Sequence, residues 1–312
     1  MSDIRLFRLN ERTASEIPGR ASDLERPLQN LIEENLEELL GVRFLASEHS
    51  TGKTHAGRID TLGIDEDDCP VILEYKRSVG ENVINQGLFY LDWLMDHCAE
   101  FELLVLKRLG ADVACRIDWS GPRLICIAAD FTKYDNHAVQ QMGHSIELIR
   151  YRRFDQDLLL LELVSASAVR PTVSTGAPRK KAAAGEATLQ SERRGSADKS
   201  ILEWFGGMAP EQRALFESIE GFVLSLGDDV QRKDLKLYIA FKRIRNFVCV
   251  GFKKGAVFLW LKLDPMQVVL EPGFSRDVRS IGHWGTGDLE VLIQSHGDLE
   301  KAKPLIMRAY ER

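Results

Sequence analysis

The sequence predicts a mixed α/β fold, a central sheet flanked by helices, joined to a smaller C-terminal α+β unit. Three observations predict it. Residues 1–165 alternate helix-like and strand-like patterns in the order α, β, β, α, β; composition breaks once, between about Ser165 and Ser200; and residues 200–312 set three short strand-like runs between helical patterns.

The elements follow in order. Leu24, Leu28, Leu31, Ile32, Leu36, Leu39 and Leu40 recur every three or four residues, which predicts an amphipathic helix over 22–40 with Ser22 as N-cap and Gly41 as stop. Runs 57–64 and 71–76 are strand-like and flank Asp65-Glu66-Asp67-Asp68-Cys69-Pro70, a hairpin whose acidic turn is expected to be solvated. A helix is expected at about 81–97, strands at 101–107, 113–118 and 123–129, a helix near 134–142, and strands near 146–151 and 158–163. Residues 166–199 are built from Ala, Ser, Gly, Thr and Pro and read as a flexible basic linker, because they cannot bury enough surface to offset their ordering entropy. Beyond it come a helix at 210–226, strands at 235–242, 246–252 and 256–263, and helical patterns at 286–295 and 298–311. The domains are therefore expected at 1–165 and 200–312.

Composition limits the function classes. With 312 residues, 44% of them hydrophobic, the chain can build real cores. No run approaches the roughly 18 apolar residues of a membrane helix, and Asp3, Arg5 and Arg8 interrupt any signal-like start. A cytoplasmic protein with no membrane partner is expected. Five cysteines at 69, 98, 115, 126 and 249, without a C-x-x-C pair, suggest neither a disulfide framework nor a zinc cage. The net charge of −6 is an average: residues 1–165 carry −11, the linker +4 and residues 200–312 +1.

The chemistry concentrates in the hairpin. Glu74 and Lys76 close the apolar run Val71-Ile72-Leu73 and point to one face, with Tyr75 on the other; in an antiparallel hairpin Asp60 can share the face of Glu74. Two carboxylates and an ammonium at the mouth of a hydrophobic hairpin are desolvated at a cost unless something uses them. A divalent cation resolves the conflict, since two carboxylates, a carbonyl and waters make a hard-oxygen shell of the sort Mg²⁺ (or Mn²⁺) prefers. The expected reaction is metal-assisted phosphodiester hydrolysis.

Gly57-Arg58-Ile59-Asp60, then Glu74-Tyr75-Lys76, then Asn85-Gln86 with Tyr90 one turn on, resembles the PD-(D/E)XK nuclease superfamily, and within it the NucS/DUF91-type endonuclease branch, over roughly residues 22–130. The resemblance implies Asp60, Glu74 and the Tyr75 backbone carbonyl as metal ligands, Lys76 as the catalytic lysine, and Gln86 and Tyr90 as catalytic-site residues from the following helix. It implies a restriction-endonuclease-like core and DNA as partner, with roles in repair or defence. NucS enzymes carry a DNA-binding domain ahead of the nuclease, whereas about twenty residues precede the first helix here, so mismatch specificity is not implied. An additional acid from the first helix is expected in this superfamily; Glu25, Glu33, Glu34, Glu37 and Glu38 compete for the role, with Glu33 or Glu34 favoured.

Arg58, Arg77 and Lys53 are the expected phosphate contacts, Lys53 from a loop beside the hairpin. Cutting both strands makes a homodimer reasonable. Ser50-Thr51-Gly52-Lys53-Thr54 ends like a phosphate-binding loop but has Ser47 where that motif needs glycine. In the C-terminal half, which resembles the DUF5655 type of domain, Lys242, Arg243, Arg245, Lys253 and Lys254 gather at two turns where solubilising charges, or nucleic-acid contacts, are expected; Trp260 and Trp284 are expected in its core.

Overall fold

Two large sheets organise the described residues, and the reason is visible in where each apolar run finds a partner. The computed structural model describes residues 4–20, 25–76, 83–167, 200–253 and 255–312. Ser22, Leu24, Arg77, Lys254 and nearly all of 166–199 lie outside the described residues. A small hairpin of β1 (Leu6–Asn10) and β2 (Thr13–Ile17) leads through β3 (Gly19–Arg20) to helices α1 (Glu25–Glu34) and α2 (Leu36–Leu40). The helix expected over 22–40 is thus broken: the Asn35 side chain donates to the Leu31 carbonyl at 2.9 Å, a local bond that competes with the helical ladder. Gly41 ends α2 in the left-handed region (φ 65°), as a stop glycine should.

Next come β4 (Val42–Ser50), the single turn α3 (Gly52–His55), β5 (Arg58–Asp65), β6 (Pro70–Lys76) and α4 (Val83–Asp96). They are followed by α5 (Cys98–Leu109), α6 (Ala111–Ala114), β7 (Arg123–Ala128), α7 (Lys133–Gln141), β8 (Ser145–Phe154) and β9 (Leu158–Ser167). The strand expected at 101–107 is therefore helical, and that expected at 113–118 is the end of α6 followed by a turn and irregular chain. Phe101 and Val105, four residues apart, are buried, while Leu103 and Leu106 stay exposed, so apolar residues on both sides had blurred a helical period into a strand-like run. Lys53 sits on α3, not in an open loop, and β4 went unread because a bulge between Phe44 and Ala46 breaks its alternation.

The strands form one mixed sheet in the order β3-β8-β7-β6-β5-β4, with β9 on β8. β6, β7 and β8 are parallel, and β5 is antiparallel to both β4 and β6. Helices α1 and α2 cover one face through Leu28, Ile32, Leu36 and Leu40 against Val71, Leu73, Tyr75, Ile125 and Ile127. Helices α4, α5 and α7 cover the other, where Leu91, Leu94, Phe101 and Val139 meet Leu62, Ile64, Ile72, Leu124 and Cys126. This is the mixed α/β architecture with a central sheet flanked by helices.

The C-terminal part holds α8 (Ile201–Gly207), α9 (Pro210–Leu224), β10 (Gln231–Asp234), β11 (Ile239–Lys242), β12 (Asn246–Lys253), β13 (Ala256–Leu261), β14 (Ser275–Asp277), β15 (Leu289–Ile293) and α10 (His296–Tyr310). Its antiparallel sheet runs β10-β11-β12-β13-β15-β14. The helix expected at 286–295 is a strand: Leu289, Val291 and Ile293 alternate inward, and Glu290 is fixed by Trp260 Nε1 at 3.1 Å. Capping boxes at Ser200/Glu203 and Ser295/Asp298 start α8 and α10. Trp260 is buried as expected, but Trp284 is half exposed. No helix among the described residues is long and apolar enough to cross a membrane.

The two parts are packed together. The turn Asp65–Cys69, expected to be solvated, is buried against the second sheet, where Cys69 joins Leu235, Tyr238, Ala240, Cys249, Trp260 and Val278 in one apolar cluster. The basic turn after β11 tucks onto the first domain: Lys242 Nζ meets Glu147 Oε1 at 2.8 Å, Arg245 Nη1 donates to the Glu38 carbonyl at 2.7 Å, and Ile244 packs beside Tyr151 and Leu161. Lys242 and Arg245 thus serve docking, whereas Arg243 stays exposed and pairs with Asp229 of its own domain.

Candidate active site

The hairpin register builds the site. Thr61 pairs with Leu73 across the β5–β6 ladder, which sets Asp60 opposite Glu74. Alternation then puts Asp60 with Leu62 and Ile64, and Glu74 with Ile72, on the face covered by α4. The Asp60 amide donates to Glu74 Oε1 at 3.2 Å, and the Tyr75 amide donates to Asp60 Oδ2 at 3.0 Å. Lys76, half-buried at the end of β6, acts electrostatically on both carboxylates.

Glu74 is fully buried and its Oε2 has no hydrogen-bond partner among the described residues. Burial first, then the charge of Asp60, pushes the Glu74 carboxyl up to about 9; burial likewise raises Asp60, against the opposing pull of the Tyr75 amide and Lys76. Two adjacent acids that resist ionisation, one with an orphaned oxygen, form a hard-oxygen donor set that a divalent cation would satisfy. The fit is partial in protein ligands: among the described residues no group of three His, Cys, Asp or Glu side chains gathers as a cage, so carbonyl and water oxygens would complete the shell.

Gln86 and Tyr90, on α4, meet the start of β5, and the cavity they help line does not include Asp60, Glu74 or Lys76. Gln86 Nε2 donates to the Tyr90 hydroxyl at 3.3 Å, and that hydroxyl accepts the Arg58 amide at 3.1 Å, pinning the start of β5. Gly57 permits this approach, because a Cβ there would stand 2.6 Å from Tyr90 Cε1. Glu48, Ser50, Gly52, Ala56, Gly57, Arg58, Gln86 and Tyr90 line an open cavity of about 630 Å³ at this end of the sheet. Arg58 projects outward and pairs with Glu48 at 3.2 Å; Lys53 is exposed on the α3 lip. Arg77 lies outside the described residues.

Of the first-helix acids, Glu33 is turned away from the pair. Its Oε1 accepts from Thr61 Oγ1 at 2.5 Å and from Gln29 Nε2 at 3.0 Å, and Thr61 lies on the α1 face of the sheet. Glu34 is exposed. The acids whose charge bears on Asp60 are Glu48 and Glu25. Glu48 escaped sequence reading because its strand did. It lies on β4 between residues that pair with Thr61 and Ile59, hence across from Asp60, and it occupies the left-handed region (φ 53°), a conformation costing a non-glycine residue about 1–2 kcal/mol. Its carboxylate is held by Arg26 at 2.6 Å as well as by Arg58. Gln29 was also missed: buried under β5, it donates to the Asp60 carbonyl at 2.9 Å and so supports the strand from behind.

Comparisons with known proteins bear on both halves. A family model described as a domain of unknown function, DUF5655, matches residues 204–312. An uncharacterized protein of Haemophilus influenzae is 29% identical over 317 residues, spanning 98% of this chain and 99% of that protein. Among solved structures, a repair endonuclease from Pyrococcus abyssi matches at 22% identity and a TM-score of 0.28, covering 42% of this chain and 48% of that one. A complex of EndoMS with double-stranded DNA matches at 18% identity and a TM-score of 0.23, covering 47% of this chain and 64% of that one. The chain thus spans about half to two thirds of the solved structures it matches.

Proposed function

We propose that the protein is a divalent-metal-dependent DNA endonuclease acting in repair or defence. The observation that carries this reading is the buried Glu74 Oε2 beside Asp60, without a partner among the described residues, with Lys76 next along the same strand face. Asp60, Glu74 and the Tyr75 carbonyl would hold Mg²⁺ or Mn²⁺. The ion, when bound, supplies charge to polarise a phosphodiester and to lower the pKa of a bound water. Lys76 orients the attacking water or offsets charge developing on phosphorus. Gln86 and Tyr90 hold the Gly57-Arg58 backbone at the lip, and Arg58 and Lys53 face incoming phosphates. DNA as the substrate class rests on the motif Gly57-Arg58-Ile59-Asp60, Glu74-Tyr75-Lys76 and Gln86 with Tyr90. Cutting both strands takes two such sites, which a homodimer supplies.

The test incubates the full chain with single-stranded, double-stranded and branched DNA in Mg²⁺ or Mn²⁺, beside Asp60→Ala and Lys76→Ala. Wild type is expected to cleave at least one substrate, and each variant to lose about 10²-fold or more, the scale of removing one group that stabilises a transition state. Equal cleavage by all three proteins, or none by wild type on any substrate, sinks the reading. DNA binding without cleavage would leave a nuclease-fold binding protein.

A further inference from the structure

We propose that the C-terminal domain is an intramolecular splint: by gripping the β5–β6 turn it fixes the hairpin on which Asp60, Glu74 and Lys76 stand. In this proposal Lys233, Tyr238 and Asn246 are positioning residues for a site on the other domain. The importance of that site rests on the nuclease reading above; the mechanical coupling does not.

The grip is specific. Asp67 is buried, and among the described residues the partners of its carboxylate come from the C-terminal domain: Tyr238 OH at 2.7 Å, Asn246 Nδ2 at 2.7 Å and Lys233 Nζ at 3.0 Å. Lys233 also reaches Asp65 Oδ2 at 3.0 Å, and the Asn246 amide donates to Glu66 Oε2 at 2.9 Å. Four consecutive acids repel one another in a tight turn, so its shape depends on the cations around it. Arg43, Arg116 and Arg123 come from its own domain and Lys233 and Lys262 from the other.

Position gives the grip its consequence. Asp65 ends β5 and Pro70 begins β6, so the turn alone connects the two strands that carry the acids. Turn geometry sets hairpin register, and a slip of one residue moves every side chain to the opposite face. Such a slip would carry Glu74 to the α1 face, where Tyr75 now lies, and away from Asp60. The gripped turn and the site lie at opposite ends of the hairpin, about 17 Å apart at strand rise. Docking therefore leaves the open cavity accessible. It also removes Lys233 and Lys242 from any direct role with DNA, since each is committed to carboxylates inside the interface.

Hydrogen exchange on the full-length chain decides the matter, using Lys233→Met, which keeps the aliphatic stem, and Tyr238→Phe, which keeps the ring. In Lys233→Met the amides of Asp60 and Tyr75 are expected to exchange about tenfold faster along with the turn, while β12 and α10 keep their protection. Tyr238→Phe moves the same amides in the same direction by a smaller factor. With a cleavable DNA, kcat falls about tenfold in Lys233→Met at nearly constant KM, as a displaced constellation loses rate more than binding. Faster exchange confined to 65–69, with Asp60 and Tyr75 at wild-type rates, overturns the proposal, and so does an equal loss of protection everywhere. If wild type cuts no DNA yet the exchange is coupled, the splint stands and the nuclease reading falls.

Discussion

Glu74→Gln is expected to abolish metal-dependent cleavage and, at the same time, to make the metal-free chain more stable above neutral pH. Both effects have one cause. Glu74 is fully buried beside Asp60, and burial plus that neighbouring charge hold its carboxyl at about 9 against an ordinary 4.5. Between those two values the folded, metal-free chain keeps a proton that the unfolded chain has released. Stability must then fall as pH rises through this window. A neutral glutamine takes no part in that titration, so the variant's melting temperature should stay flat where wild type declines. A gain of about 1 kcal/mol corresponds to about 2–4 °C in a chain of this size. Added Mn²⁺ should reverse the order, because the ion needs the ionised carboxylate, stabilises wild type by mass action and leaves Glu74→Gln unmoved. Melting curves from pH 5 to 9, with chelator and with Mn²⁺, check this. A variant that declines with pH as wild type does would show that the buried acid carries no such strain.

The largest loss of stability is expected from Arg123→Met. Arg123 is buried on β7 and forms a two-bonded pair with Glu147, both bonds at 2.9 Å, and a third bond to Asp65 at 2.9 Å. With Lys233, Lys242 and Asp67 it completes a cluster of three cations and three carboxylates between the domains. Removing the one cation that touches both Asp65 and Glu147 leaves buried charge uncompensated, which costs about 3–5 kcal/mol. At about 2–4 °C per kcal/mol, the melting temperature should drop by about 6–20 °C. The cluster also sets the acid limit. Burial alone would raise Glu147, but Arg123 and Lys242 outweigh it and hold the carboxyl at about 2, and Lys233 and Arg123 hold Asp65 well below the usual range. These depressed acids give their full stabilisation above about pH 4.5 and lose it as pH falls toward 2. Wild type should therefore unfold steeply in acid, and Arg123→Met less steeply from a lower plateau. A melting temperature within a degree or two of wild type would mean the cluster contributes no net stability.

The hairpin and its facing carboxylates were legible because strand alternation and a turn signal are local. So were α4, α7 and α10, expected at about 81–97, near 134–142 and at 298–311. What escaped was set by partners far along the chain. Glu48 could not be placed without β4, whose bulge hides its pattern. Phe101 to Lys107 reads as a strand until α4 and the core choose which side goes in. Asp65 to Asp68 had every local mark of a solvated turn. Lys233, Tyr238 and Asn246, more than 160 residues away, help make it an interior one. The same distance explains why Lys242 and Arg245 resembled solubilising charges.

The burial of Cys69 at that interface gives its sulfur a role in chemical labelling. Cys115 is exposed and Cys98 half-buried, whereas Cys69 and Cys249 are sealed in the cluster shared by the two domains and Cys126 lies in the first core. Burial pushes the thiols of Cys69, Cys126 and Cys249 upward and away from the reactive thiolate. Alkylation should consume Cys115 first and Cys98 next. Cys69 waits for the domains to part and Cys126 for the first core to open, so the order of modification in an unaltered chain records which of the two events has happened.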